Sequence, residues 1–411
     1  MREMKDSGIA WVGEIPKEWE IGRIGGLYEL RNQKVSDKDF IPLSVTMKGI
    51  LPQLETAAKT NDGDNRKLVR KGDFAINSRS DRRGSCGISD YDGSVSLINT
   101  ILKPRNQMNA RYYNWLFHTP LFADEFYKWG HGIVDDLWTT NWGEMKKISI
   151  PAPLLNEQQR IAEFLDRKCG KIDGLKADIQ AQIDTLEQYK RSEITEAVTH
   201  GLNPSAPMKE CSVSWARQIP QHWKVMPNKH LMTKIKNICP IYKGEDILSL
   251  TMYGVIVRDL DAGGKMPSSF DGYQYIKKGN LLMCLFDIDV TPRCIGIIKQ
   301  NGITSPAYSQ FKMKKIANAR FYYYYYLMLD YTKELLHLAK NLRHSLTEDQ
   351  LGAIKQLVPP LDEQQEIADY LDNKCAEIEQ IIADKKSQIE TLDGYKKSLI
   401  YEYVTGKKEV I

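Results

Sequence analysis

The sequence repeats itself at an offset of about 205 residues, and this duplication constrains the fold more than any other feature. Three short blocks recur: one with two tryptophans, one with Leu-Ser-x-Thr-Met and one with Asn-Ala-Arg. The matched positions are Trp11, Ile15, Pro16 and Trp19 with Trp215, Ile219, Pro220 and Trp223, residues 43–47 with 248–252, and residues 109–111 with 318–320. The blocks keep their order, so the chain consists of two related halves.

A further block near the end of each half is the most similar between the copies. Its matched positions are Pro153, Glu157, Gln158, Gln159, Ile161, Ala162, Leu165, Asp166, Lys168, Cys169, Ile172, Leu186, Tyr189, Lys190, Val198 and Thr199 with Pro360, Glu363, Gln364, Gln365, Ile367, Ala368, Leu371, Asp372, Lys374, Cys375, Ile378, Leu392, Tyr395, Lys396, Val404 and Thr405. Residues 53–108 and 255–317 share little beyond turn glycines such as Gly87/Gly296 and Gly93/Gly302. Each copy therefore joins a variable part to a constant part.

The constant part has the pattern of a long helix. Asn156 and Asp362 stand at the expected N-cap, each followed by a glutamate in the first turn, where a carboxylate is favourable. Residues 156–199 would form a helix of about 66 Å at 1.5 Å per residue. A helix of this length needs a partner to cover its apolar stripe. The pattern predicts that it pairs, antiparallel, with its own repeat at 362–404.

Apolar residues spaced seven apart predict the contact seam of this helix pair. In the first copy they are Leu165, Ile172, Ile179 and Leu186, with Ile161, Leu175 and Tyr189 on the second seam positions; in the second copy they are Leu371, Ile378, Leu392 and Leu399, with Ile367, Ile381 and Tyr395. Lys385 interrupts the second seam. We expect the seam to space the variable parts.

The variable parts combine strand-like runs at 40–47, 68–77 and 280–286 with helical segments at about 109–129 and 318–339. The five consecutive tyrosines at 322–326 point all round a helix, so we interpret them as packing residues. The predicted fold class is mixed α/β (α+β), with two recognition domains separated by two long antiparallel coiled-coil helices. The predicted boundaries are 1–153 for domain 1, 154–200 for helix 1, 201–210 for a linker, 211–360 for domain 2 and 361–411 for helix 2.

Composition excludes several classes of protein. The chain of 411 residues is 42% hydrophobic and 27% charged, without an apolar run of about 18 to 20 residues or a signal-peptide pattern, which predicts a cytoplasmic protein with no membrane span. Its seven cysteines never form CxxC, which argues against a disulfide framework or a metal site. Walker A, GxGxxG, HExxH and GxSxG motifs are missing, so we expect no catalytic centre. A net charge of +4 permits DNA binding without demonstrating it.

Candidate DNA contacts are arginines and lysines of the variable parts and the polar loops that follow the domain helices. Such side chains can meet phosphates or base edges. The candidates are Arg79, Ser80, Arg82, Arg83, His131, Thr139, Thr140 and Asn141 in the first half, and Arg293, Lys312, Asn341, Arg343, His344 and Ser345 in the second.

The order of these elements resembles the specificity (S) subunit of Type I restriction-modification systems. The resemblance rests on an Ile-Pro-x-x-Trp opening, a variable domain, a proline junction and the Glu-Gln…Ile…Leu-Asp block with its long helix, all present twice. It implies two target recognition domains, each reading one half of a bipartite asymmetric site in double-stranded DNA. It also implies that the helices set the spacer and dock two DNA adenine methyltransferase (M) subunits, with restriction/translocase (R) subunits joining. S-adenosylmethionine, ATP and magnesium would then bind the partner subunits and not this chain.

Two alternatives stay open at this point. A coiled-coil scaffold protein would explain the heptads but not the two divergent polar domains. A stand-alone metal-dependent nuclease would use the Glu-x-Lys string at Glu144 and Lys146, downstream of Asp135 and Asp136.

Overall fold

The computed structural model describes residues 2–53, 63–79, 82–105, 108–132, 138–261, 267–291, 293–339 and 344–410. The chain forms two compact units: unit 1 comprises Met1–Ile179 and Lys386–Ile411, and unit 2 comprises Gln180–Lys385. Each unit therefore contains one variable domain and one part of each long helix. Within the described ranges, no helix combines the length and the apolar character that a membrane crossing requires.

Unit 1 is built from short antiparallel strands and four small helices. The strands are β1 (Met4–Asp6), β2 (Glu14–Pro16), β3 (Glu20–Arg23), β4 (Tyr28–Leu30), β5 (Lys34–Val35), β6 (Leu43–Thr46), β7 (Gly49–Pro52), β8 (Arg66–Val69), β9 (Phe74–Asn77), β10 (Cys86–Ile88), β11 (Gly93–Val95), β12 (Asn99–Pro104) and β13 (Ser149–Ala152). The helices are α1 (Ile24–Leu27), α2 (Ala110–Phe117), α3 (Pro120–Lys128) and α4 (Trp142–Met145). Its four-stranded sheet has the order β4-β12-β9-β10.

Unit 2 repeats this arrangement. Its strands are β14 (Met208–Val213), β15 (Ala216–Pro220), β16 (Lys224–Pro227), β17 (Met232–Ile235), β18 (Leu248–Thr251), β19 (Gly254–Val257), β20 (Gln274–Ile276), β21 (Leu281–Met283), β22 (Ile295–Ile297), β23 (Gly302–Thr304), β24 (Ser309–Met313) and β25 (Lys355–Val358). The long helix α5 (Leu155–His200) precedes them, and α6 (Ala319–Tyr331), α7 (Glu348–Ala353) and α8 (Leu361–Val404) follow, with 3-10 turns at Asn228–His230 and Glu334–Leu338. The order β17-β24-β21-β22 matches that of unit 1. The predicted mixed α/β fold class is confirmed.

Several predicted elements have different bounds in the structure, and two of them are interrupted by a turn. The run at 68–77 was predicted as one strand, but it contains the end of β8 and all of β9, separated by a turn in which Gly72 has φ +88. The predicted helix at 109–129 is two helices, because Thr119 caps α3 and Pro120 begins it. The long helices begin at Leu155 and Leu361, so Asn156 and Asp362 lie in the first turn and not at the N-cap.

The tyrosine run forms the packing core of unit 2, as predicted. Tyr322, Tyr325 and Tyr326 are fully buried on α6, and burial raises the pKa of all three phenols above the ordinary value. The hydroxyl of Tyr322 donates to the Leu357 carbonyl at 3.0 Å, and that of Tyr325 accepts from the Trp215 indole at 2.7 Å. A helix that is buried on all sides needs large apolar side chains all round. The hydroxyl group of a buried tyrosine in turn needs a hydrogen-bond partner.

The two copies share a hydrogen bond, donated by a buried tryptophan, where each long helix begins. The indole of Trp19 donates to Glu157 at 2.8 Å in unit 1, and the indole of Trp223 donates to Glu363 at 3.0 Å in unit 2. Both tryptophans are buried. The opening block of each repeat is therefore fixed directly to the constant block.

The following glutamine ties the domain helix to the same point. In unit 1 the side chain of Gln158 accepts from the backbone of Asn109 at 2.8 Å and donates to the Pro153 carbonyl at 2.7 Å. The equivalent Gln364 accepts from the backbone of Asn318 at 2.8 Å. Both asparagines cap the helix that follows them, so the Asn-Ala-Arg block and the Glu-Gln-Gln block form one framework.

Charged pairs complete this framework about two turns further along the long helices. Arg111 binds Asp166 at 2.7 Å in unit 1, and Arg320 forms the same ion pair with Asp372 in unit 2. All four residues belong to blocks that recur in the sequence. The recurring polar residues thus join elements of one unit, which explains why they are the same in both halves.

The long helices run antiparallel within each unit, as predicted, but four of the fourteen predicted seam residues are exposed. Leu165, Ile172, Ile179, Leu371 and Ile378 are buried. Of the second seam positions, Ile161 and Ile367 are buried, whereas Leu175 is 49% exposed, Tyr189 43%, Ile381 45% and Tyr395 55%. Cys169 and Ile183, four residues after Leu165 and Ile179, are buried, so the covered stripe steps by four residues where a step of three was predicted.

Lysines near the exposed seam residues bind across the helix pair. In unit 1 Lys396 binds Asp173 at 2.7 Å, and Lys176 pairs with Asp393. In unit 2 Lys190 binds Glu379 at 3.0 Å, and Lys385 donates to Gln182 at 2.5 Å. Lys190 and Lys396 are matched positions of the repeat. Polar groups in a helix seam penalise shifted pairings, so these bonds fix the helix register.

We expect Gln364→Met to destabilise unit 2, because Gln364 is fully buried and also donates to the carbonyls of Pro359 and Ile316 at 2.8 and 3.1 Å. Each buried backbone group left unpaired should cost about 1 to 3 kcal/mol. The midpoint of chemical denaturation measures the loss. Gln365→Met, at the exposed neighbouring position, is the matched control, and an equal effect of the two substitutions would contradict the assigned role.

Candidate nucleic-acid interface

Two loops of unit 1 that carry candidate contacts lie side by side. The first, residues 78–85, connects β9 to β10, and the second, residues 131–141, follows α3. Arg79 and Thr139 form an antiparallel bridge, and Thr139 also exchanges two backbone hydrogen bonds of 3.0 Å with His131. The structure therefore brings Arg79, His131 and Thr139 together from segments about 50 residues apart in the chain.

Buried polar contacts hold these two loops in place. Thr140 is fully buried; its N–H donates to the Ser78 carbonyl at 3.0 Å and its hydroxyl donates to the Phe126 carbonyl at 2.8 Å. The Asn141 side chain caps α4 by accepting from the backbone of Glu144 at 3.2 Å. Both residues position the second loop, and any DNA contact made by them stays a prediction.

Arg82 and Arg83 lie at the end of the first loop. The N–H of Arg82 donates to the Arg79 carbonyl at 3.3 Å. The Arg83 guanidinium binds Asp124 at 2.9 Å and lies 5.4 Å from the ring of Tyr127. Its side chain is 59% exposed and so keeps access to solvent. Ser80 lies outside the described residues.

Unit 2 joins the equivalent two loops by the same kind of backbone bonds. Residues 284–294 connect β21 to β22, and the segment around His344 follows α6. The N–H of Ile288 donates to the His344 carbonyl at 3.3 Å, and the N–H of Leu346 donates to the Leu285 carbonyl at 2.8 Å. Ser345, half-buried, lies between these two bonds. Asn341 and Arg343 lie outside the described residues.

Arg293, a candidate cation of unit 2, binds three groups of its own unit. It donates to the carbonyls of Ile295 at 3.2 Å and Met252 at 3.0 Å, and it also binds the hydroxyl of Tyr323. Burial raises the pKa of the Tyr323 phenol, although the positive charge of Arg293 opposes the shift. Arg293 thus connects the 284–294 loop to a neighbouring hairpin, β18–β19.

Lys312 is not part of this cluster. It lies on β24, which pairs with β21 so that Ser309 is opposite Met283, next to the loop. Lys312 is exposed near the other end of the strand, opposite Thr233. The structure therefore groups Arg293, His344 and Ser345 and separates Lys312 from them.

The Glu-x-Lys string lies at the end of a short helix. Glu144 belongs to α4, and its carboxylate binds Lys147 at 3.0 Å. Asp135 and Asp136 lie outside the described residues. Across the described part of the chain, no group of three or more His, Cys, Asp or Glu side chains is placed to hold a metal ion.

The model of the Type I restriction modification DNA specificity domain family matches residues 16–185 and 294–391, more than half of the chain. The chain belongs to this family. Each matched segment includes a framework glutamate and a large part of one long helix. The 78–85 and 131–141 loops lie within the first segment, and Arg293 lies one residue before the second.

Relatives of full length agree with membership of the specificity family. The chain is 24% identical to the Type I restriction enzyme MjaVIII specificity subunit of Methanocaldococcus jannaschii, covering 96% of this chain and 94% of the relative. It is 23% identical to the putative type I restriction enzyme MjaX specificity subunit of the same organism, covering 97% and 96%. A chain solved under the description "Structural basis underlying complex assembly and conformational transition of the type I R-M system" shares the fold at a TM-score of 0.72 and 13% identity, covering 96% and 99%.

We expect Arg82→Ala to weaken DNA binding by the specificity chain in complex with its methyltransferase. Loss of a base contact should cost about 1 to 3 kcal/mol and relax one position of the site, whereas loss of a phosphate contact should flatten the salt dependence by about one unit. Binding titrations at several salt concentrations distinguish the two. Lys103→Ala is the control, because Lys103 is exposed on β12, where it pairs with Glu29. If the Arg82→Ala variant binds DNA with the parental affinity at every salt concentration, this loop is excluded as a DNA contact.

Proposed function

We propose that this chain is the DNA-reading subunit of a Type I restriction-modification complex and that each unit reads one half of a bipartite, asymmetric site. The observation that carries the proposal is the duplicated pair of loops. In each unit, backbone bonds join the loop between two sheet strands to the segment after the domain helix, while the loop sequences differ. Backbone pairing leaves side chains free to change, as two different half-sites require.

We propose that the chemistry belongs to partner subunits and that this chain is not an enzyme. The full sequence contains no Walker A loop or other common catalytic motif. S-adenosylmethionine, ATP and magnesium would then bind to the methyltransferase and restriction subunits. A target adenine must leave the base stack to be methylated, which needs a separate pocket on the methyltransferase. The complex would act in the cytoplasm.

The helix pair offers a place for two methyltransferase subunits. The apolar residues that the seam leaves uncovered are matched positions of the repeat: Leu175 and Tyr395 in unit 1 correspond to Ile381 and Tyr189 in unit 2. Exposed apolar groups on an otherwise charged helix favour a partner that covers them. A duplicated patch favours two copies of one partner. We further propose that α5, which contains residues of both units, sets the spacer between half-sites.

Replacing residues 211–357 by the reader of another specificity subunit should change one half of the recognised site and leave the other half intact. The replaced segment lies between α5 and α8, so the framework glutamates and the helix pair are kept. Mapping methylated adenines in cells that carry the chimera and the methyltransferase measures the change. A chimera that alters both halves, or neither, would refute separate readers.

Leu175→Glu and Ile381→Glu should each remove one methyltransferase subunit from the complex, and the double variant should remove both. The reason is that a carboxylate in an apolar contact loses its hydration without gaining a partner. Mass measurement of the assembled complexes gives the stoichiometry. Ala177→Glu adds the same charge two residues away on the exposed face of α5 and should leave two subunits bound. Full assembly in the double variant would place the docking surface elsewhere.

A further inference from the structure

Each unit presents a tight hairpin with the same construction. The hairpins are β6–β7 and β18–β19, with the two-residue turns 47–48 and 252–253. The hydroxyl of Thr46 donates to the Gly49 carbonyl at 2.9 Å, and that of Thr251 donates to the Gly254 carbonyl at 3.0 Å. Both glycines have positive φ, +102 and +100, which a side chain would strain. The two tips are therefore rigid.

A largely exposed apolar side chain stands at each tip. Met47 is 72% exposed and Met252 is 60% exposed. Methionine gives no advantage in a two-residue turn, which favours Asn, Asp and Gly. Because both copies retain it while most of the variable part diverges, folding of the unit does not account for it.

The tips lie beside the candidate DNA loops. In unit 1 the hairpin packs so closely on β10 that a Cβ at Gly87 would lie 2.8 Å from the Cα of Gly49, and β10 directly follows the 78–85 loop. In unit 2 Arg293 of the 284–294 loop donates to the carbonyl of Met252 itself at 3.0 Å. Each tip is thus held at the edge of one pair of loops.

The hairpins differ in chemistry at one position of the tip. The sequences are Leu-Ser-Val-Thr-Met-Lys-Gly and Leu-Ser-Leu-Thr-Met-Tyr-Gly, so Lys48 stands where the second copy has Tyr253. Both side chains are exposed, and Tyr253 is 76% exposed, the largest value among the exposed apolar and aromatic residues of the described chain. The hairpin has the same construction in both units, and the side chain at this one position of the tip differs.

We propose that each hairpin tip inserts against the DNA bases, with the methionine as a common apolar wedge and Lys48 or Tyr253 as a residue that sets the preference of its half-site. This inference rests on the proposed function. Methionine is among the side chains that proteins wedge against base steps. A tyrosine ring stacks on a base, whereas a lysine hydrogen-bonds to acceptors on a guanine edge, so exchanging them changes the base preferred.

The test uses the complete complex of this chain with its methyltransferase and a duplex containing the site mapped from methylated adenines. Met47→Ala and Met252→Ala should each weaken binding of that duplex by about tenfold or more, the loss typical of one base contact. Binding of a scrambled duplex should change less. Met208→Ala, at an exposed methionine on β14 that belongs to neither hairpin, is the control and should bind like the parent.

The exchange Lys48→Tyr should alter the preferred base at a position in the half-site read by unit 1 and leave the other half-site unchanged. Parental affinity and specificity in all three tip variants would overturn the inference while leaving the proposed function intact. A parental complex that does not distinguish its site from the scrambled duplex would instead defeat the proposed function. Loss of methyltransferase from the tip variants would assign the tips to protein docking and overturn the inference.

Discussion

The hydrogen bond between a buried tryptophan and the first-turn glutamate of a long helix is the contact on which each unit depends. Trp19 with Glu157 and Trp223 with Glu363 attach the start of a variable domain to the start of a helix. The neighbouring glutamine then attaches the domain helix to the same turn. Breaking one of these bonds inside a unit would leave a buried polar group unpaired, which is costly. This cost is the reason that the residues recur unchanged.

The helix pair is specified by polar as well as apolar residues. Hydrophobic burial at positions such as Leu165 and Leu371 holds the helices together but tolerates sliding, whereas the Lys396–Asp173 and Lys190–Glu379 pairs favour one register. The same seam geometry leaves Leu175, Tyr189, Ile381 and Tyr395 exposed. The same helix pair therefore has a fixed register and an exposed set of apolar side chains.

A fixed support and a variable reading surface are compatible because they use different bonds. The loops are joined through main-chain groups, as in the bridge between Arg79 and Thr139, and a main-chain bond is available to nearly any residue. The side chains of the loops and hairpin tips can therefore change without loss of the main-chain bonds that hold these segments in place. This separation explains how one family fold accommodates domains as different as the two variable parts of this chain.

The sequence alone determined the duplication, the long helices, the mixed α/β domains and the burial of the tyrosine run, because local spacing and self-similarity carry that information. Tertiary structure decided the rest. Leu175 and Ile381 fit the heptad by spacing but are exposed, since the true seam depends on how two helices cross. Lys312 lies apart from Arg293 because strand pairing places it at the far end of β24. The candidate contacts Arg79, His131 and Thr139 meet only after folding, because the bonds that join them are formed by main-chain atoms, which every sequence contains.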